Sequence, residues 1–177
     1  MQRLILTIVT CRILGYNLGN PLPRKQKMIT VRHIQDTDIQ TAKLLADKSR
    51  DELGFITRQK FEEAVEQQRG CVALENTQVV GFVLYRHRKL DYQTTLSEIC
   101  VHKDYRRRHI GEQLVNALIE DCLNKSRHFI QLKCPTDLPA NAFYRQLGFE
   151  LVATEKGKKR SLNIWRLTLP QHANDKV

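Results

Sequence analysis

Residues 105–123 read YRRRHIGEQLVNALIEDCL: three consecutive arginines, a glycine, and then apolar side chains at helical spacing. Ile110, Leu114, Val115, Leu118, Ile119, Cys122 and Leu123 form one stripe, the strongest amphipathic pattern in the chain, and predict a helix that begins at the arginines. A helix start already carries partial positive charge from its unpaired N–H groups, so arginines gathered there are unfavourable unless an anion joins them. The plain reading of Arg106, Arg107 and Arg108 is a solvated basic face, to which most charge runs belong. Two features favour an anion site instead: the run sits at a helix N-terminus, and Gly111 leaves room for close backbone approach.

Working upstream, TLSEICVH (95–102) alternates as a strand, with Leu96, Glu98 and Cys100 on one face and Ser97, Ile99 and Val101 on the other. A strand that runs through a tight loop into a helix is a common way to hold a diphosphate, because N–H groups converge and the dipole favours the anion. The chain has no GxxxxGK[ST] and no GxGxxG after a strand, so the P-loop and dinucleotide fingerprints are excluded.

Before that unit, ITVRHI (29–34) reads as a strand, and residues 35–50 as a helix capped by Asp36 or Thr37. DELGF interrupts the pattern, and Thr57 caps a second helix with Phe61, Ala64 and Val65 on one face. The two short helices could form one wall of a site. CVALENTQVVGFVLYRHR reads as a hairpin turning at residues 76–78. Downstream, HFIQLKC resumes a strand, Asp137, Pro139 and Gly148 delimit a short helix, and two strands flank the basic loop KGKKR. The order β, α, α, β, β, β, α, β, α, β, β predicts a mixed α/β single domain with a largely antiparallel sheet, not a doubly wound one.

The 177 residues suit one domain, with 41% hydrophobic and 27% charged side chains. Net charge is +10, from 29 basic and 19 acidic residues. Residues 1–27 contribute Arg3, Arg12, Arg24, Lys25 and Lys27 and no acid, so +5 of that total is theirs and +5 remains for residues 28–177. The excess favours anionic partners without choosing among them. Five cysteines (Cys11, Cys71, Cys100, Cys122, Cys134) form no CxxC pair, which argues for reduced thiols and against a zinc site; no metal is expected. LILTIVTC is too short an apolar run to span a bilayer. Residues 1–27 are expected to lie outside a domain running from 28 to 170, with 171–177 as a tail.

ICVHKDYRRRHIGEQLV (99–115) resembles the acetyl-coenzyme A motif of the GCN5-related N-acetyltransferase (GNAT) family, R/Q-x-x-G-x-G/A. Arg106 matches the first position and Gly111 the last, while His109 stands where the family carries its first glycine. LPANAFYRQLGF is similar to the family's downstream FY-x-x-x-GF segment. Membership implies a central sheet with flanking helices whose fourth and fifth strands splay apart around the pantetheine arm. It implies acetyl-CoA as cosubstrate, held by Cys100, Val101, His102, Arg106, Arg107, Arg108, His109, Ile110, Gly111, Glu112, Asn141 and Tyr144. It also implies an acyltransferase and leaves room for a homodimer; the cysteine usage points to a cytoplasmic location, and no membrane span is expected.

The implied reaction is direct attack of a primary amine on the thioester. It needs a neutral amine, donors for the carbonyl oxygen and a proton for the thiolate. The resemblance assigns the donors to backbone N–H groups around Cys100, Val101 and His102. It assigns the proton to Tyr144, which the residues alone would place in the interior beside Phe143 and Phe149. Glu98 is the first candidate base, or else a strand carboxylate paired with a basic neighbour, and His102 is the second. The carboxylate that many members carry one strand over is absent, since Leu132 and Lys133 stand there. For the acceptor, Asp51 and Glu52 suit a cation, whereas Lys156, Lys158, Lys159 and Arg160 suit an anion. A basic nucleic-acid-binding module without catalysis is the alternative function, disfavoured by the lack of aromatics within the basic run. A third is membrane attachment through residues 1–14.

Overall fold

The computed structural model of the protein describes residues 28–88 and 91–170, so the expected extension and tail, Cys11 and the membrane-attachment segment lie outside the described residues. The strands are β1 (Ile29–His33), β2 (Gly70–Glu75), β3 (Gln78–His87), β4 (Gln93–Val101), β5 (Phe129–Pro135), β6 (Glu150–Lys156) and β7 (Ser161–Thr168). The helices are α1 (Ile39–Lys48), the single turn α2 (Arg50–Leu53), α3 (Arg58–Glu66), α4 (Ile110–Asn124) and α5 (Ala140–Gln146).

All seven strands form one sheet in the order β1-β2-β3-β4-β5-β7-β6. Every neighbouring pair is antiparallel except β4 and β5, which run parallel because α4 carries the chain from one to the other. The sheet is covered on both faces. On one, Ile39, Ala42, Leu45 and Ala46 of α1 and Phe61 and Ala64 of α3 pack on Val72, Phe82, Leu84 and Cys100. On the other, Ile110, Leu114, Val115, Leu118 and Cys122 of α4 pack on Val80, Val83, Leu96, Ile130 and Leu132.

Local signals explain most boundaries. Thr57 Oγ1 accepts from the Lys60 N–H at 3.3 Å and starts α3. Asn76 turns the β2–β3 hairpin at φ 58°, and Gly148 ends α5 at φ 83°. Two expected caps differ. Neither Asp36 nor Thr37 caps α1; Asp38 instead takes the Gln35 N–H at 2.8 Å and the Arg32 guanidinium. Asp137 does not cap α5, because it pairs with Arg160 at 3.1 Å.

Gly81 decides how α4 sits. A Cβ there would fall 2.9 Å from the Cys100 carbonyl oxygen and 3.2 Å from Leu114, so its absence lets the first turns of α4 lie down on β3 and β4. That brings the N-terminus of α4 beside the end of β4.

Candidate active site

The expected strict alternation along β4 is corrected at Ser97. Leu84 pairs with Glu98 and Tyr85 with Leu96, leaving Ser97 as an extra residue in a bulge. Leu96 therefore faces the α4 layer while Cys100 faces the α1–α3 layer. A bulge bends its strand and increases local twist. On its other side β4 pairs with β5 for three residue pairs only, ending at Thr95 and Gln131; beyond them neither strand has the other as partner. The sheet is open there, between Leu96–Val101 on one side and Leu132–Pro135 on the other.

Main-chain direction along the open edge follows from the ladder with β3. The His102 N–H donates to the Val80 carbonyl at 2.8 Å. Two residues back, Cys100 opposite Phe82 also faces β3. Val101, between them, turns its N–H and carbonyl into the opening, as does Ile99. Of the three amides expected around the oxyanion, that of Val101 is turned to the opening, while those of Cys100 and His102 are directed to β3. The Val101 carbonyl accepts from Arg106 Nε at 3.1 Å.

After β4 the chain makes a 3-10 turn at Lys103–Tyr105, then passes through Arg107 at φ 63° and His109 at φ 57° before α4. His109 thus adopts the left-handed conformation, which histidine enters more readily than most residues. Two such residues cost about 1–3 kcal/mol each. Burial of Ile110, Leu114, Val115 and Leu118, none more than 1% exposed, offsets this at about 1.5–3 kcal/mol each. His109 provides no side-chain cap; its Nδ1 lies 2.9 Å from Glu112 instead. The backbone N–H groups of residues 107–112 donate to nothing among the described residues.

The arginines are not a uniform anion trap. Arg106 forks onto Glu52 of α2, with Nη2–Oε2 at 2.9 Å, and Arg108 lies over the Tyr105 ring and 3.6 Å from Glu75. Arg107 has no ion pair among the described residues. Two of the three charges are therefore met within the fold by acids on other elements. Gly111 also has a second reason to be glycine: a Cβ there would stand 3.0 Å from the Phe143 ring, so the contact brings α5 against the first turn of α4.

Tyr144, on α5, is 6% exposed, and its ring meets Phe143 and Phe149 edgewise or tilted. Burial, with Cys134 close by, pushes the phenol well above its ordinary value. Its hydroxyl makes no hydrogen bond among the described residues. Asn141, expected at the cofactor, has its side-chain amide engaged within the fold. Its Nδ2 donates to the carbonyls of Pro135 and Leu138, each at 2.7 Å, and its Oδ1 accepts from Asn163 at 3.0 Å and Trp165 Nε1 at 2.9 Å. The amide is saturated in fastening the β5–α5 connection to β7.

Glu98 points toward α3, where Oε1 is paired with Lys60 Nζ, while Oε2 is buried with no partner among the described residues. Nothing in the periodicity of α3 signalled Lys60, which meets β4 only through tertiary packing. His102, the second candidate base, accepts from the Asp104 N–H at 3.4 Å and stacks edge-on to Tyr105, so it ends the strand locally. Of the expected acceptor contacts, Glu52 is held by Arg106 and Arg160 by Asp137, leaving Asp51, Lys156, Lys158 and Lys159 exposed at the surface. No group of histidine, cysteine and carboxylate side chains among the described residues is arranged to hold a metal ion. No described helix is long and apolar enough to cross a membrane.

A sequence model of the Acetyltransferase (GNAT) domain matches residues 66–151, from the end of α3 into β6. No curated protein sequence matches the chain. Among solved structures, Ard1 from Thermoplasma volcanium superposes with a TM-score of 0.72 at 19% identity, over 81% of this chain and 99% of that one. The ribosomal-protein-S18-alanine N-acetyltransferase of Escherichia coli gives 0.71 at 20% identity, over 85% and 99%. The yncA protein of Salmonella typhimurium, solved with its cofactor acetyl-CoA, gives 0.69 at 18% identity, over 82% and 96%. At these identities the likeness establishes the fold.

Proposed function

We propose, from the premise that this chain carries the acetyltransferase domain of the GNAT family, that it transfers the acetyl group of acetyl-CoA to a primary amine by direct attack. The observation that carries the reading is the opening between β4 and β5, with the Val101 N–H turned into it and, beside it at the start of α4, six N–H groups that have no partner among the described residues.

These residues fit the cosubstrate. The N–H groups of residues 107–112, backed by the α4 dipole and Arg107, suit a diphosphate. The main-chain edges that β4 and β5 leave without a partner strand along the opening suit an extended arm containing amides, which can bond there as a strand would. Acetyl-CoA supplies an acyl carbon activated as a thioester, whose leaving group is a thiolate. The Val101 N–H would hold the carbonyl oxygen as it gains charge, a role worth about 3 kcal/mol for one well-placed donor. Tyr144, kept protonated by burial, would give its proton to the sulfur. Glu98 Oε2, buried and unpartnered, would take the proton of the acceptor ammonium, directly or through a water.

A nucleic-acid module fares less well, because Glu52 and Glu75 occupy two of the three arginines that would form its basic strip. The test is a thermal melt with acetyl-CoA and with adenosine, followed by mass-spectrometric screening of peptide α-amines, lysine side chains and polyamines as acceptors. A rise in Tm with acetyl-CoA but not adenosine, and one class of amine gaining an acetyl group, is expected. No rise at saturating acetyl-CoA contradicts the reading.

A further inference from the structure

Two lysines in the described structure rest on largely buried carboxylates, and their positions differ sharply. Lys125 pairs with Asp121, whose side chain is 10% exposed, at the C-terminal end of α4. Lys60 pairs with Glu98, whose side chain is 14% exposed, on the strand that borders the opening. Asp121 has both oxygens in use, Oδ2 by His87 and Oδ1 by Lys125, whereas Glu98 Oε2 is buried with no partner among the described residues. The fifteen residues of α4 separate its two ends by about 20 Å. One pair therefore stands beside the proposed chemistry and the other far from it.

An ammonium in contact with a proposed general base, three residues before Val101, is placed as an acceptor would be. We propose that Lys60 is an acetylation site of the protein itself: an intramolecular primary amine that takes the acetyl group from acetyl-CoA at the β4–β5 opening. This rests on the reading of that opening as an acetyl-CoA site. The strand rise puts Glu98 and Val101 about 10 Å apart. Lys60 is 41% exposed and sits on a flexible four-carbon stem, so its amine can swing from Glu98 toward the opening.

The step balances without a further reagent. The Lys60 ammonium gives one proton to the Glu98 carboxylate, the freed amine forms an N–C bond to the acetyl carbonyl as the C–S bond breaks, and the nitrogen then sheds its second proton to solvent, to which Glu98 also returns the first. The bonding pair leaves on sulfur, which takes a proton from Tyr144; Tyr144 regains one from solvent. Lysine ammonium and acetyl thioester become acetyl-lysine, free thiol and one released proton. The product has no charge at position 60, so the buried Glu98 carboxylate loses its partner, which is destabilising.

The full chain is incubated with acetyl-CoA, and acetyl occupancy at each lysine is followed by digestion and mass spectrometry. Lys60 is expected to acetylate at least about tenfold faster than Lys125 and the other paired lysines. N,S-diacetylcysteamine, a thioester without phosphates, should give no such preference at equal concentration. Glu98→Gln should bring Lys60 down to the rate of Lys125, and the acetylated fraction should melt at lower temperature than the unmodified protein. Lys60→Arg guards against misassignment: it removes the signal while the acetyl-CoA-induced rise in Tm persists. Equal, slow acetylation of Lys60 and Lys125 in protein that binds acetyl-CoA overturns this inference and leaves the cofactor reading standing. Absence of any acetyl-CoA-induced rise overturns both.

Discussion

Arg106 and Glu52 form a two-pronged ion pair, Nη2 to Oε2 at 2.9 Å and Nη1 to Oε1 at 3.1 Å, while Arg106 Nε holds the Val101 carbonyl. One side chain thus ties the turn α2 to the last residue of β4 and fixes the loop between β4 and α4. Its charge is spent inside the fold, and the part we propose for it in cofactor binding is to hold that loop in place.

Arg106→Met is expected to weaken acetyl-CoA binding about tenfold, because the loop loses its hold on Val101. Glu52→Gln should change the affinity less than about threefold, since the Val101 contact survives and a half-exposed ion pair contributes only about 0.2–1 kcal/mol. Calorimetric titration of both variants decides it. Equal losses would show that the ion pair, not the Val101 contact, sets the loop.

Tyr144→Phe should lower kcat by about 100-fold and leave the acetyl-CoA dissociation constant within twofold. The ring packing against Phe143 and Phe149 is retained, so the melting temperature should hardly move. Unchanged kcat would return Tyr144 to a packing role.

Asn141→Ala removes a hub that joins Pro135, Leu138, Asn163 and Trp165, and leaves the buried Trp165 N–H without its acceptor. A loss of about 2–4 kcal/mol by chemical denaturation is expected, while acetyl-CoA affinity of the folded fraction stays within threefold. A selective loss of affinity without loss of stability would restore the amide to the cofactor.

The sequence carried the element order, because the α4 stripe and the hairpin and Thr57 signals are local. It also carried the loop that precedes α4, through the arginine run and Gly111. Three things were not legible. The bulge at Ser97 depends on register against β3, which no single-strand pattern encodes. The carboxylates that meet Arg106 and Arg108 come from α2 and β2, 54 residues away along the chain in the case of Glu52. The resemblance put Asn141 at the cofactor, and only the return of β7 beside β5 surrounds it with partners inside the fold.

At the other end of α4, burial alone would raise the Asp121 carboxyl. Hydrogen bonds from His87 and Lys125 outweigh that and hold it down at about 2. A carboxyl whose folded value lies below its unfolded one stabilises fully above about pH 4, and that contribution is lost as the pH falls toward 2. Asp121→Asn should therefore be less stable at pH 6 by about 1–2 kcal/mol, allowing for screening at the partly exposed Lys125. The two melting curves should converge between pH 4 and pH 2. A gap that persists at pH 2 would mean that shape, not charge, makes Asp121 necessary.

The central claim is tested most directly by a coenzyme A titration followed through backbone amide resonances. The amides of Val101 and residues 107–112 should shift most, while those of Cys100 and His102, held by β3, move little. Large shifts at Cys100 and His102 with residues 107–112 unmoved, or changes confined to another face of the sheet, would contradict the account.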